Sequence, residues 1–209
     1  MPRRPLSERI AEQFSYRGDR ADVWRAFDRF LDTGAYLNLG YSPRYLPHVV
    51  GSSQRRLARV VGDGLADRLG ATGGVPLLDV GCGRGGPAAV LAREFGFDVV
   101  GVDLVRYNVA AARRNAASGG VPAEFVVGDA TRLPVATDSV GATSSIDALV
   151  YVPDEAAAFE ELTRVVRPGG VVAVSTLVAR DGLDRTARAS VDAFADAWDM
   201  AEIVPAARF

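Results

Sequence analysis

The hydrophobic pattern divides the chain into two parts. From residue 75 onward, short apolar runs alternate with stretches whose apolar positions recur at helical spacing. The runs 76–80, 97–102, 123–127, 140–146 and 171–178 read as strands, and 86–95, 106–117 and 154–166 as helices between them. Strands separated by helices of this length need crossover connections, which are right-handed and give a parallel sheet covered on both faces. Within Arg167-Pro168-Gly169-Gly170, the Pro and Gly residues are expected to stop the preceding helix and open the last strand. A final helix is expected near 184–199, where Ala187, Val191, Phe194, Ala195 and Trp198 share a face.

Before residue 75 the pattern is helix and loop. Ser7-Glu8-Arg9-Ile10 suits the start of a short helix, and Val23, Trp24, Phe27, Phe30 and Leu31 form one apolar helical stripe. The segment from Gly34 to Pro43 mixes aromatic with turn residues and reads as a loop. A further helix is expected over 51–69, with Leu57, Val60, Val61, Leu65 and Leu69 on one face. The expected fold is therefore α/β: a Rossmann-like, doubly wound, mostly parallel sheet with helices on both faces. Residues 1–50 read as a helical, substrate-facing lid, and 51–209 as the core.

The chemistry concentrates where the first strand ends. Leu77-Leu78-Asp79-Val80 runs into Gly81-Cys82-Gly83-Arg84-Gly85-Gly86, and the next strand closes on Asp103. Glycines let the backbone turn sharply and approach a ligand closely, because no Cβ stands in the way. Asp103 follows the turn by about 20 residues, the spacing at which a carboxylate accepts bonds from ribose hydroxyls. A loop built for a diphosphate uses bare N–H groups and a helix N-terminus. Asp79 at the mouth of this loop would repel a diphosphate and attract an ammonium, which points to an adenosine derivative bearing an amino acid.

Asp79 to Gly85, Asp103 and Asp129 together resemble the signature of the class I S-adenosylmethionine-dependent methyltransferases. The resemblance implies S-adenosylmethionine as cofactor, with S-adenosylhomocysteine as product, and a methyl group passed to an O, N or C atom of a small-molecule acceptor. It implies that Gly81, Cys82 and Gly83 wrap the methionyl end, that Asp79 helps hold the ammonium, and that Arg84 assists at the carboxylate. Asp103 is then the ribose ligand, Leu104 flanks the adenine, and Gly128, Asp129 and Ala130 read the adenine edge. Ser145 and Ile146 are expected beside the cofactor at the end of the fourth strand. Asp147 and Tyr151 stand where related enzymes carry an acid and a histidine, and are the candidate catalytic pair. A tyrosine serves as a base only if its pKa is lowered from near 10. Tyr36-Leu37-Asn38-Leu39-Gly40-Tyr41 resembles the Asn-x-Gly-Tyr segment of natural-product, quinone and lipid-modifying methyltransferases, with Ser42 where Trp is usual. By that resemblance Tyr36 and Tyr41 close over the cofactor. In the family an antiparallel hairpin ends the sheet. This chain stops at Phe209 before one could form, so the expectation is a C-terminally incomplete core whose strand 171–178 is an uncovered edge.

Composition narrows the rest. With 24 basic and 26 acidic residues the formal net charge is -2, which gives no footprint for nucleic acid. One cysteine excludes an intramolecular disulfide and a cysteine-based metal cluster, so no metal site is expected. Cys82 reads as a small residue in the loop, and His48, without a partner nearby in sequence, as a surface or core histidine. No run reaches the roughly 20 apolar residues of a bilayer span, and no charged-then-apolar leader opens the chain. A cytoplasmic enzyme is expected, with a homodimer left open. Asp79 and Asp129 argue against an NAD-type oxidoreductase on a similar sheet. A cofactor-binding protein of the same fold that transfers no methyl, such as a cyclase, is the alternative.

Overall fold

Five apolar segments pair side by side into one sheet. In the computed structural model, which describes residues 6–14, 34–43 and 52–208, the strands are β1 (Pro76–Val80), β2 (Asp98–Asp103), β3 (Ala123–Val127), β4 (Val140–Ile146) and β5 (Val166–Ser175). Their order is β3-β2-β1-β4-β5 and every pairing is parallel. The order reverses between β1 and β4, the switch point at which open α/β sheets bind ligands beyond the carboxyl ends of their strands.

The helices are α1 (Leu6–Phe14), α2 (Ser52–Leu69), α3 (Gly86–Phe95), α4 (Arg106–Gly119), α5 (Glu155–Val165) and α6 (Arg185–Ala197). Local chemistry sets their ends. Pro87 in the first turn of α3 carries the fixed φ a helix start needs, and Gly96 ends it in the left-handed conformation at φ 76°. Asp154 caps α5 by accepting from the Ala157 N–H at 3.0 Å, as Asp184 caps α6 through the Ala187 N–H at 2.8 Å. The helix expected over residues 23–31, Tyr45 and His48 lie outside the described residues.

Apolar packing covers both faces of the sheet. Leu77, Val99 and Ala142 pack with Leu65, Leu91 and Val109 of α2, α3 and α4 on one side. Leu78, Val80 and Val102 pack with Ala158, Leu162 and Val165 of α5 on the other. The mostly parallel, doubly wound expectation is met, with the five described strands wholly parallel.

The last strand differs from the expected one. Strand pairing starts at Val166, directly after α5, with Val140 opposite Val166 and then Ala142 opposite Val171. Arg167 to Gly170 therefore bulge out of the ladder instead of forming a helix-to-strand turn. Pro168 has no N–H to give to the ladder, and Gly169 adopts φ 81°. Regular pairing ends at Ser175, short of the expected 178. Beyond it the chain runs past its own C-terminal segment, where the Ala179 N–H donates to Val204 O and the Ala206 N–H to Ala179 O, at 2.8 and 3.0 Å. Val150, Ala179, Ala195, Met200 and Ile203 form a small cluster there.

Candidate functional site

Because β1, β2 and β4 all end on the same side of the sheet, the turns that follow them enclose one space. A cavity of about 360 Å³ opens there, within the range of small-molecule sites. Its floor is the glycine turn after β1. Gly81 and Gly83 take φ 74° and 54°, and the N–H groups of Gly81 and Cys82 both donate to Val102 O of β2, at 2.7 and 3.0 Å. A Cβ on Gly81 would collide with the Ala148 Cβ. The glycine is thus required twice, by its left-handed backbone and by the close approach of the loop after β4.

Asp103 ends β2 with its carboxylate buried among donors. Oδ2 accepts from the Gly83 N–H at 2.9 Å, while Oδ1 accepts from the Val105 N–H at 2.8 Å and the Asn108 amide at 3.3 Å. Burial raises its pKa and these bonds oppose the rise. Leu104, Gly128, Asp129 and Ala130 line the same end of the cavity. Asp129 also holds its own turn, accepting from the N–H and hydroxyl of Thr131 at 2.9 and 2.8 Å.

The lining also carries apolar side chains, Ile10 and Phe14 of α1, Leu37, Leu149, Tyr151 and Val152. Phe14 and Tyr151 meet edge to face at 5.2 Å between ring centroids. Among the described residues, the charged ones of the lining are Asp103, Asp129, Asp147 and Asp154, with no Arg or His. Among the described residues no cluster of His, Cys, Asp and Glu is placed to hold a metal ion, and no helix is long and apolar enough to cross a membrane.

Of the residues singled out in the sequence, Gly81, Cys82, Gly83, Asp103, Leu104, Gly128, Asp129, Ala130, Ile146, Asp147 and Tyr151 line the cavity. Four do not. Tyr36 is buried in the core against Gly86, whose missing Cβ leaves room for the ring, and it bonds Arg55 rather than facing the cavity. Tyr41 is 45% exposed and points away from the lining. From the expected lid pair, the neighbours Leu37 and Asn38 reach the site instead. Ser145 falls on the face of β4 opposite Ser144 and Ile146, as strand alternation dictates. Asp79 lies beneath the glycine turn, completely buried. Its Oδ1 accepts from the Ser144 hydroxyl at 2.7 Å, and its Oδ2 finds no hydrogen-bond partner among the described residues.

The catalytic expectations change as well. Tyr151 is largely desolvated beside Asp147 and Asp199, and burial drives its phenol well above the ordinary value. A phenol moved in that direction is no proton acceptor near neutral pH, which corrects the base role considered for it. Burial likewise pushes the Cys82 thiol well up, so it is no nucleophile. Ile10, Phe14, Val105 and Asn108 were missed as lining residues. Ile10 and Phe14 share a helix face with i,i+4 spacing, which marks burial but not what the face covers.

The residues fit S-adenosylmethionine on two observations of this chain: a glycine cradle joined to a buried ribose-type carboxylate, and an orphaned carboxylate oxygen on Asp79. Residues 78–174 match a family model described as a methyltransferase domain. Methyltransferase GfsG from Streptomyces halstedii is 39% identical over 132 residues, which make up 62% of this chain and 48% of that protein. The chain therefore spans about half the length of this curated relative, and from 32% to 59% of others that it matches. Among solved structures, the [4+2]-cyclase SpnF superposes with a TM-score of 0.73 at 27% identity, covering 85% of this chain and 62% of that one. Geranyl diphosphate C-methyltransferase from Streptomyces coelicolor A3(2) shares the fold, with a TM-score of 0.70 at 23% identity over 98% of this chain and 76% of that one.

Proposed function

We propose, from the likeness of residues 78–174 to a methyltransferase domain and from the cavity described above, that the chain is a class I S-adenosylmethionine-dependent methyltransferase and moves a methyl group from that cofactor to an uncharged small-molecule acceptor. One observation carries the reading: a cavity at the sheet's switch point is lined both by the glycine turn with Asp103 and by apolar side chains, and among the described residues its only charged groups are acids. The cofactor, when bound, supplies a methyl group already activated for displacement. Gly81 to Gly83 would hold its methionyl part, Asp103 its ribose, and Leu104, Asp129 and Ala130 its adenine, while buried Asp79 would act on the ammonium through the field of its charge rather than by contact.

The chain's own contribution is positioning and exclusion of water. Holding two reactants aligned can supply about 7–11 kcal/mol of a barrier. Ile10, Phe14, Leu37 and Tyr151 form a dry wall against which an apolar acceptor packs. Among the described residues, the lining carboxylates not assigned to the cofactor are Asp147 and Asp154, with no cation in the lining, which favours an uncharged acceptor. With burial pushing the Tyr151 phenol up, an acceptor atom already acidic or electron-rich needs least from this side chain. Residues 6–14 and 34–43 face the cavity from the N-terminal side, in keeping with a lid over residues 1–50. The buried thiol of Cys82 is consistent with the reducing cytoplasm as its location.

The likeness to SpnF supports a second reading, in which the cofactor is bound and no methyl leaves it. The mass of the product separates the two. A gain of one methylene unit in a neutral acceptor, with S-adenosylhomocysteine released, supports transfer, and an isomerised product of unchanged mass supports the second.

Asp79 gives the site a pH dependence. Its pKa is raised to about 6, first by burial and also by Asp103, against the pull of the Ser144 hydroxyl. The folded chain then binds this proton more tightly than the unfolded one. The group's contribution to stability is present in acid and is lost as pH rises through about 6. A ligand ammonium favours the ionised form, so affinity for S-adenosylhomocysteine should rise by about tenfold between about pH 5 and 7. Calorimetric titration across that range checks it, and Asp79→Asn should flatten the profile.

A further inference from the structure

We propose that Asp147 is a latch that ties the N-terminal loop across the cavity to the β4–β5 side and so sets how tightly the site holds its ligand. It is a positioning residue, not the proton acceptor for the reaction. The tie exists within this chain alone; its effect on ligand affinity rests on the cofactor reading above.

Asp147 is the first residue beyond β4 and adopts φ 55°, the left-handed region in which Asp and Asn are enriched. Its N–H donates to Ser175 O at 2.8 Å, continuing the β4–β5 ladder by one step. That backbone bond aims the carboxylate at two donors. Oδ1 accepts from the Ser175 hydroxyl at 2.7 Å, and Oδ2 accepts from the Leu39 N–H at 3.1 Å.

Other bonds of the loop run to the helices α2, α3 and α4, the last through the Asn115 amide, which donates to Gly34 O at 2.7 Å. Ala35 O accepts from the Gly86 N–H of α3 at 2.9 Å, and the Tyr41 N–H donates to Ser53 O of α2 at 2.9 Å. Asn38 and Gln54 exchange amide-to-carbonyl bonds at 3.2 and 2.7 Å. These anchors fix the loop to α2, α3 and α4, whereas Asp147 fixes it to the end of β4 and β5. Leu37 and Asn38, held between the two sets, line the cavity. Leu39 also packs with Ile10, Phe14 and Tyr151, so the latch steadies the apolar wall as well as the loop. Both carboxylate oxygens already serve neighbours in the chain, which suits holding rather than proton transfer.

Three variants of the full chain separate the roles. In Asp147→Asn, Oδ1 can accept from Leu39 while Nδ2 donates to the Ser175 hydroxyl, which can turn to accept, and Asn suits the backbone. Asp147→Gly keeps the backbone angle and removes the carboxylate. Ser175→Ala removes one of the two partners and stands in if the glycine variant does not fold. Hydrogen exchange at the Leu39 amide reads the latch directly, and calorimetric titration with S-adenosylhomocysteine reads its consequence.

Asp147→Gly should speed Leu39 exchange by at least about tenfold and weaken S-adenosylhomocysteine by about 10- to 100-fold. Asp147→Asn should stay within about threefold of the parent in both, and Ser175→Ala should fall between them. Leu39 exchange unchanged by Asp147→Gly overturns the latch, and so does an Asp147→Asn variant as defective as Asp147→Gly. If the parent chain binds no S-adenosylhomocysteine yet loses Leu39 protection in Asp147→Gly, the latch stands and the cofactor reading falls.

Discussion

Replacing Asp103 by alanine should cost about two orders of magnitude in affinity for S-adenosylhomocysteine, and about 2–4 kcal/mol of stability even without ligand. The carboxylate does two jobs. It presents acceptors at the end of β2, and it holds the glycine turn to that strand through the Gly83 N–H at 2.9 Å. Removing it leaves that N–H, the Val105 N–H and the Asn108 amide without their acceptor in a buried place. Asp103→Asn should not rescue binding. Backbone donors face both oxygens, one on each, so an amide nitrogen would confront an N–H whichever way it turned. This contrasts with Asp147, where one partner is a hydroxyl able to reverse its bond. Thermal unfolding and titration of the two variants measure both effects, and full affinity in the Asp103→Asn variant would contradict the assignment.

Gly81→Ala carries the second large effect. The new Cβ would run into the Ala148 Cβ, and the residue would be forced to hold φ 74°. Left-handed backbone costs a non-glycine residue about 1–2 kcal/mol, and overpacking adds about 1–3 kcal/mol. A loss of about 2–4 kcal/mol in stability is expected, together with loss of ligand binding, since relief of the clash displaces either the glycine turn or the loop bearing Asp147. Gly120→Ala is the control. It sits at φ 63° with nothing within 4 Å of an added Cβ, so only the backbone term applies and binding should persist. Equal losses in the two variants would mean that the contact with Ala148 is unimportant.

The sheet, its glycine turn and the acid that ends β2 were legible because they depend on local, one-dimensional signals. Apolar runs between helical stretches dictate parallel pairing, and a glycine turn followed by a strand-terminal acid can be read without knowing any neighbour. Asp154 as the cap of α5 was legible for the same reason. What the sequence obscured was direction. Tyr36 and Tyr41 lie in the loop that approaches the cavity, yet Tyr36 turns into the core because Gly86 leaves it a slot, and Tyr41 turns outward. Asp79 has the expected chemistry but sits below the turn, bonded to Ser144 from the neighbouring strand, a contact set by the order of the strands. Tyr151 stands where the resemblance implies a histidine, and only its surroundings reveal that burial pushes its phenol upward, away from use as a base. The bulge of Arg167 to Gly170 was hidden because Pro and Gly signal an interruption equally well before a strand and within one. The tie from Asp147 to Leu39 joins residues 108 apart in sequence, and no motif announces it.

Everything above turns on whether this cavity binds the cofactor of a methyltransferase. Calorimetric titration of the 209-residue chain with S-adenosylhomocysteine, with NAD in parallel, decides it. Saturable binding of S-adenosylhomocysteine at a stoichiometry of one is expected, and none of NAD. A folded chain that binds NAD, or that binds neither compound, would contradict the cofactor assignment.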